Sequence, residues 1–152
     1  KAAQRFGRKP VFAVGYIAAF LATVGYFQLF NSKADIWMSF VMGFCQLGLF
    51  AGFAIYLPEL FPIRLRSTGT SFCYNVGRFI AASGPFTLGR LQAALAVTAT
   101  SALGPGATDA AKAAAKLGAF REAACYLSTI FLVGLIAIFF LRETKGQPLP
   151  ED

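Results

Sequence analysis

Arg78 sits deep inside an apolar stretch of this chain, and Ser71 and Asn75 precede it at helical spacing. Residues at i, i+4 and i+7 share one face of a helix, and Tyr74 lies beside them, four residues before the arginine. A guanidinium among hydrocarbon is costly unless it meets an anion, so this face suits charge-assisted hydrogen bonding to a carboxylate. The stretch from Gly69 to Arg78 rises roughly 14 Å as helix, which brings the charge toward the midplane of a bilayer core about 30 Å thick. The competing expectation is structural: the helix starts deeper, and Arg78 snorkels back to the interface or pairs with Glu59. Gln46, in the preceding apolar stretch, is a further polar group. An amide there either lines a cavity or bonds across to a neighbouring helix. Gln46, Tyr74, Asn75 and Arg78 are the candidate ligand contacts.

Organised charge occurs at one other place. The run Leu57-Pro58-Glu59-Leu60-Phe61-Pro62-Ile63-Arg64-Leu65-Arg66 lies between membrane-length segments and predicts a tight turn pinned by ion pairs. Other chemistries lack their residues. The chain has no histidine, and Cys45, Cys73 and Cys125 each fall inside an apolar stretch, so no metal site, disulfide framework, catalytic triad or cofactor is expected. No span pairs a nucleophile with a base, which argues against a membrane-embedded enzyme.

The elements that carry these residues follow from composition. Apolar residues make up 57% of the 152 and charged ones 14%, against about 25% charged in a soluble domain, and mean hydropathy is +0.60. The chain therefore belongs in a lipid bilayer. Basic residues cluster at the ends of apolar runs, as topology determinants do, so the net charge of +7 does not point to nucleic acid. With no initial Met and a basic segment leading at once into an apolar run, the sequence reads as part of a longer protein.

Four spans are expected, at 11–30, 36–57, 68–97 and 120–141, giving an all-α membrane protein of four transmembrane helices. Residues 1–10 and 58–67 are cytoplasmic loops, 98–119 an external alanine-rich loop and 142–152 a cytoplasmic tail. Lys1, Arg5, Arg8, Lys9, Arg64, Arg66, Arg142 and Lys145 fall on one side of the membrane; Lys33, Arg90, Lys112, Lys116 and Arg121 fall on the other. By the positive-inside rule both ends are cytoplasmic, in the cell (plasma or inner) membrane. Gly84-Pro85 interrupts the third span, where a proline frees a carbonyl and permits a kink. Asp109 is positioned to cap a short helix carrying Lys112 and Lys116 on one wet face. Gly48 and Gly52 allow close helix approach.

Three motifs, in this order and with this number of helices between them, resemble the last four of the twelve helices of a major facilitator superfamily transporter, near its sugar-porter and metabolite:proton-symporter branches. Arg5-Phe6-Gly7-Arg8-Lys9 resembles the superfamily's Asp-Arg-x-Gly-Arg-Arg/Lys loop. Glu59-Leu-Phe-Pro62-Ile-Arg64-Leu-Arg66 is similar to its Glu-x-x-Pro-x-x-x-Arg turn, and Glu143-Thr144-Lys145-Gly146 to its Pro-Glu-Thr-Lys-Gly tail. The chain departs from the pattern at Gln4, where the motif has Asp, and at Arg142, where it has Pro. The resemblance covers essentially the whole chain. It implies a partial major facilitator fold, a small-molecule solute and protons as partners, and a missing N-terminal portion holding the coupling carboxylate. It also implies a cytoplasmic gate around Arg5, Gly7, Arg8, Glu59, Pro62, Arg66, Glu143 and Lys145. The expected function is secondary active transport of an organic anion by alternating access. A sugar porter is the alternative, and a non-transporting receptor or anchor the alternative of another class.

Overall fold

The computed structural model describes residues 5–104 and 106–146; Gln4, Pro105 and the tail beyond Gly146 lie outside them. Helix α1 (Arg8–Leu29) runs into a short link, a 3-10 turn (Lys33–Ile36) and helix α2 (Trp37–Leu60). The link folds back because Asp35 Oδ2 accepts the N–H groups of Asn31 and Ser32 at 3.0 and 2.9 Å. These two helices are therefore antiparallel neighbours. Pro58 is accommodated in the last turns of α2, which ends where Phe61 becomes extended.

The third span is split in two, α3 (Arg66–Ala81) and α4 (Gly84–Ser101). Pro85 lacks an N–H, and Ser83 satisfies Ile80 O with both its N–H (3.1 Å) and its hydroxyl (2.7 Å), so the helical ladder breaks at 82–83. Helices α5 (Asp109–Ser128) and α6 (Ile130–Phe140) are nearly continuous. They are separated only where Ser128 and Thr129 turn their hydroxyls back onto the carbonyls of Cys125 and Tyr126, at 2.6 and 2.7 Å.

The alanine-rich connection is largely helical, with α4 continuing to Ser101 and α5 starting at Asp109. Hydropathy marks where a segment leaves lipid, whereas alanine's helix propensity carries the helix beyond that point. Thr108, not Asp109, is the N-cap: its hydroxyl accepts from the Ala111 N–H at 3.3 Å. Asp109 stands in the first turn, where its charge complements the helix dipole.

Helix α1 is central and packs against α2, α5 and α6, while α3 leans on α2 and α4 on α5. The buried cluster is Phe12, Ala19, Leu49, Tyr56 and Ile138. Two glycines set the α1–α2 spacing, since a methyl group at Gly52 would stand 2.9 Å from the Phe12 ring and one at Gly15 2.8 Å from Leu49. Gly48 has open space beside it. The α5/α6 rod runs antiparallel to α1, with the Phe27 and Phe120 rings 5.8 Å apart toward the end of α1 and the Arg8 N–H at its start bonded to Glu143, just past α6.

Three helical stretches, Arg8–Leu29, Lys33–Leu60 and Asp109–Phe140, are long and apolar enough to cross a membrane. With the broken α3/α4 pair they make a four-segment, all-α membrane fold. Its flanks are apolar: Phe44, Phe79, Phe139 and Phe140 are 81, 82, 80 and 86% exposed. Such a surface is stable against lipid or further helices, not against water.

Candidate functional site

At the end of the bundle that carries the basic motifs, polar groups from α1, α2 and the tail after α6 form a clasp. Gly7, with φ +102°, ends the preceding chain and leaves the first N–H groups of α1 without a side-chain cap. Glu143 fills that role, accepting the Arg8 N–H at 2.8 Å on Oε1 and the Lys9 N–H at 3.1 Å on Oε2. A side chain at Gly7 would be strained by its φ and would stand 3.1 Å from the Glu143 carboxylate. Burial pushes the Glu143 carboxyl up, but the N–H groups of Arg8, Lys9, Lys145 and Thr144 outweigh it and hold it below the usual carboxylate range.

The Arg8 side chain forks onto Glu59, with Nε 3.1 Å from Oε2 and Nη2 on Oε1. Side-chain exposures of 12 and 18% make this pair largely desolvated. Thr144 donates its hydroxyl to the same carboxylate at 2.5 Å, so Glu59 is shared by a helix start and the tail. Tyr56, one turn before Glu59, donates to Arg142 O at 2.7 Å, and Lys145 Nζ to Arg5 O at 2.8 Å.

Of the residues expected at this end, the structure joins Arg8, Glu59, Glu143 and Lys145 around Gly7. Pro62 sits in the adjoining turn, its carbonyl accepting the Leu65 N–H at 3.0 Å. Arg66 stands apart from Glu59: its Nε reaches Phe61 O at 3.4 Å and its Nη2 is buried without a partner. The Arg5 side chain is exposed and lies over the Phe6 ring. Tyr56 and Thr144 escaped the sequence reading, although Thr144 lies within the quoted tail motif and Tyr56 shares a helix face with Glu59.

The second candidate region is a largely apolar groove of about 770 Å³ between α2 and α3. Phe50, Phe53 and Leu57 line one wall, and Thr70, Tyr74 and Arg78 the other. Arg78 is exposed and makes no ion pair among the described residues, and Glu59, its conceivable partner, is occupied by Arg8. Asn75 donates to Ser71 O on its own helix at 2.9 Å, and Tyr74 OH makes a long 3.4 Å contact with Phe50 O. The groove therefore joins Tyr74, Asn75 and Arg78. Gln46 lies outside it: its amide donates at 3.1 Å to the Thr23 hydroxyl, which is itself bonded to Ala19 O at 2.7 Å. An amide in an apolar interior takes the nearest acceptor, and here that acceptor is on α1. Thr70 also lines the groove, but its hydroxyl is buried against protein and meets no partner among the described residues.

Helices with lipid-facing flanks, a charged clasp at one end and a largely apolar groove carrying Arg78 alongside define a multi-pass membrane protein. The chain belongs to the sugar (and other) transporter family, which matches it over residues 2–151, and so to the major facilitator superfamily of transporters, which are not enzymes. It is 36% identical over 90 residues to the probable 4-methylmuconolactone transporter of Cupriavidus pinatubonensis, covering 59% of this chain and 21% of the relative. It is 25% identical to a putative metabolite transport protein of Haemophilus influenzae, over 97% of this chain and 31% of the relative. With the glycine betaine/proline/ectoine/pipecolic acid transporter OusA of Dickeya dadantii it shares 30% identity over 96% of this chain and 25% of the relative. The chain thus spans between about a fifth and a third of the length of the curated relatives it matches. No solved structure matches it significantly.

Proposed function

We propose that the chain is the C-terminal third of a twelve-helix secondary transporter that moves a small organic carboxylate by alternating access, driven by protons. The observation that carries the anion reading is Arg78, a groove-lining cation with no carboxylate partner among the described residues. In a largely apolar groove such a cation favours an anionic solute, with Asn75 and Tyr74 beside it to orient the bound group. The solutes named for two of the relatives, 4-methylmuconolactone and the betaine, proline, ectoine and pipecolic acid set, all carry a carboxylate.

The clasp then serves as one half of a cytoplasmic gate. A desolvated Arg8–Glu59 pair at the lipid-water boundary is strong enough to hold one state and reversible enough to open. Both chain ends face the cytoplasm in the plasma or inner membrane on this reading, and the proton-coupling carboxylate lies in the preceding helices.

The test is uptake of labelled carboxylates by the full-length transporter in proteoliposomes with an imposed pH gradient. Arg78→Gln is expected to weaken affinity at least about 10-fold, and Arg78→Lys less, as loss of a charge-assisted fork requires. Unchanged affinity in Arg78→Gln refutes the anion reading. Accumulation of a neutral sugar instead supports the second reading, a sugar porter, which the family match and the Glu59–Arg66 motif favour.

A further inference from the structure

The breaks between α3 and α4 and between α5 and α6 share one local chemistry. Ser83 turns both its N–H (3.1 Å) and its hydroxyl (2.7 Å) onto the carbonyl three residues back, Ile80 O. Thr129 does the same to Tyr126 O, with its N–H at 3.1 Å and its hydroxyl at 2.7 Å. A carbonyl engaged by the residue three ahead gives 3-10 instead of α bonding, and such a tightened turn inside a long helix is a point of bending. The breaks also lie at one height. Helices α4 and α5, of 18 and 20 residues, are antiparallel neighbours and the most extensively packed pair among the described residues. Counted from the link that joins them, the breaks are about 27 and 30 Å away, less than one helical turn apart. Helix α6 places 11 residues, about 16 Å, between its break and the clasp, so both breaks fall near the middle of a hydrocarbon core about 30 Å thick.

We propose that α4 and α5 form one body, a hairpin that tilts about a line through Ser83 and Thr129 and so opens and closes the end of the molecule opposite the clasp. Its ties to the rest of the bundle at that end are reversible ones. Arg121 donates to Phe30 O and, at 3.2 Å, to Asn31 Oδ1, and the Phe27 and Phe120 rings meet edge to face. The residues that α5 buries above its break, Ala119, Ala123 and Ala124, are small and interlock little with their neighbours. Arg78 and Ala81, in the last turn of α3, line the groove, so an occupant held there touches the hinge and couples filling to the tilt. The tilt needs no particular solute; its role as a gate rests on the alternating-access reading.

Distances between spin labels on the full-length transporter, in a background freed of native cysteines, test the tilt. Lys112→Cys on α5 with Lys33→Cys on the α1–α2 link reads the motion, and Lys112→Cys with Arg90→Cys on α4 reads the hairpin alone; all three positions are exposed. A tilt of about 15° moves Lys112, roughly 24 Å along α5 from its break, by about 6 Å. Two Lys33–Lys112 populations about 6 Å apart are expected. Arg121→Ala should enrich the longer one, and Pro85→Ala combined with Thr129→Val, which lets both helices run through, should abolish it. The Arg90–Lys112 distance is expected to stay constant throughout. A single, unshifted Lys33–Lys112 distance in the wild type and in Arg121→Ala overturns the hinge, and a changing Arg90–Lys112 distance overturns the single body. Uptake separates this from the transport reading. Wild-type uptake by the stiffened double variant overturns the gate, whereas a wild type that accumulates neither carboxylate nor sugar removes alternating access and leaves the distances to decide the hinge.

Discussion

The clasp and the groove are built from the same kinds of residue and differ in how completely they are satisfied. In the clasp, Glu59 accepts from Arg8 and Thr144, and Glu143 from two backbone N–H groups of α1 and one of the tail. In the groove, Arg78 is exposed and has no ion-pair partner among the described residues. Polar groups that close on one another hold a structure together; a cation left exposed along a hollow is free to meet what enters it. Removing a clasp residue should therefore damage stability first, and removing a groove residue should damage binding while leaving stability alone.

The sharpest break of that contrast is Glu59→Gln. It leaves Arg8 largely desolvated and without its counter-charge, and it should cost about 3 kcal/mol in chemical unfolding of the detergent-solubilised protein. The double variant Arg8→Met with Glu59→Met should regain most of the loss, because no charge is then stranded. A Glu59→Gln protein as stable as the wild type would remove the distinction between the two regions.

Next in size is Glu143→Gln, expected to cost about 1–3 kcal/mol at neutral pH, as for hydrogen bonds to a charged group. The Glu143 carboxyl is held below its unfolded value, so its contribution is complete above the unfolded pKa and fades as pH falls through the lower folded one. The stability gap between wild type and Glu143→Gln should thus persist through neutral pH and close below about pH 4. A gap that closes between pH 6 and 8 would mean that another group controls the clasp.

The smallest effect belongs to the groove. Arg78→Gln and Asn75→Ala should each change unfolding stability by less than about 0.5 kcal/mol, because both residues are exposed and Arg78 makes no ion pair among the described residues. A larger destabilisation would show that these residues support the helix rather than a ligand.

Much of the architecture was legible in the sequence because lipid imposes strict demands. Apolar runs near 20 residues mark the crossings. Gly84-Pro85 marks the break between α3 and α4. The helical start of α5 was legible in the Asp109, Lys112 and Lys116 spacing, but its continuity into the last span and the run of α4 to Ser101 were not, since hydropathy is silent once a helix leaves lipid. Partner choice was harder still. Arg66 is near Glu59 in sequence, yet the extended Phe61 turns the chain away and Glu59 pairs with Arg8, 51 residues earlier. Nothing local distinguishes those two arginines. Gln46 shows the same limit: its sequence admits both a cavity and a cross-helix bond, and only the position of Thr23 on α1 decides between them.

The carboxylate that finishes the start of α1 comes from a residue made 135 positions later. Chains are synthesised from the N-terminus, so α1 is the earliest of these helices to form and among the last to be completed. Until the tail returns past α6, the opening turn must rely on water for its backbone donors, and Gly7 leaves room beside it for the carboxylate yet to come. A copy truncated just before Glu143 would keep helices α1 to α6 and still leave the first turn of α1 without its carboxylate. The contact of Glu143 with the first turn of α1 is thus made only once everything between them has folded back.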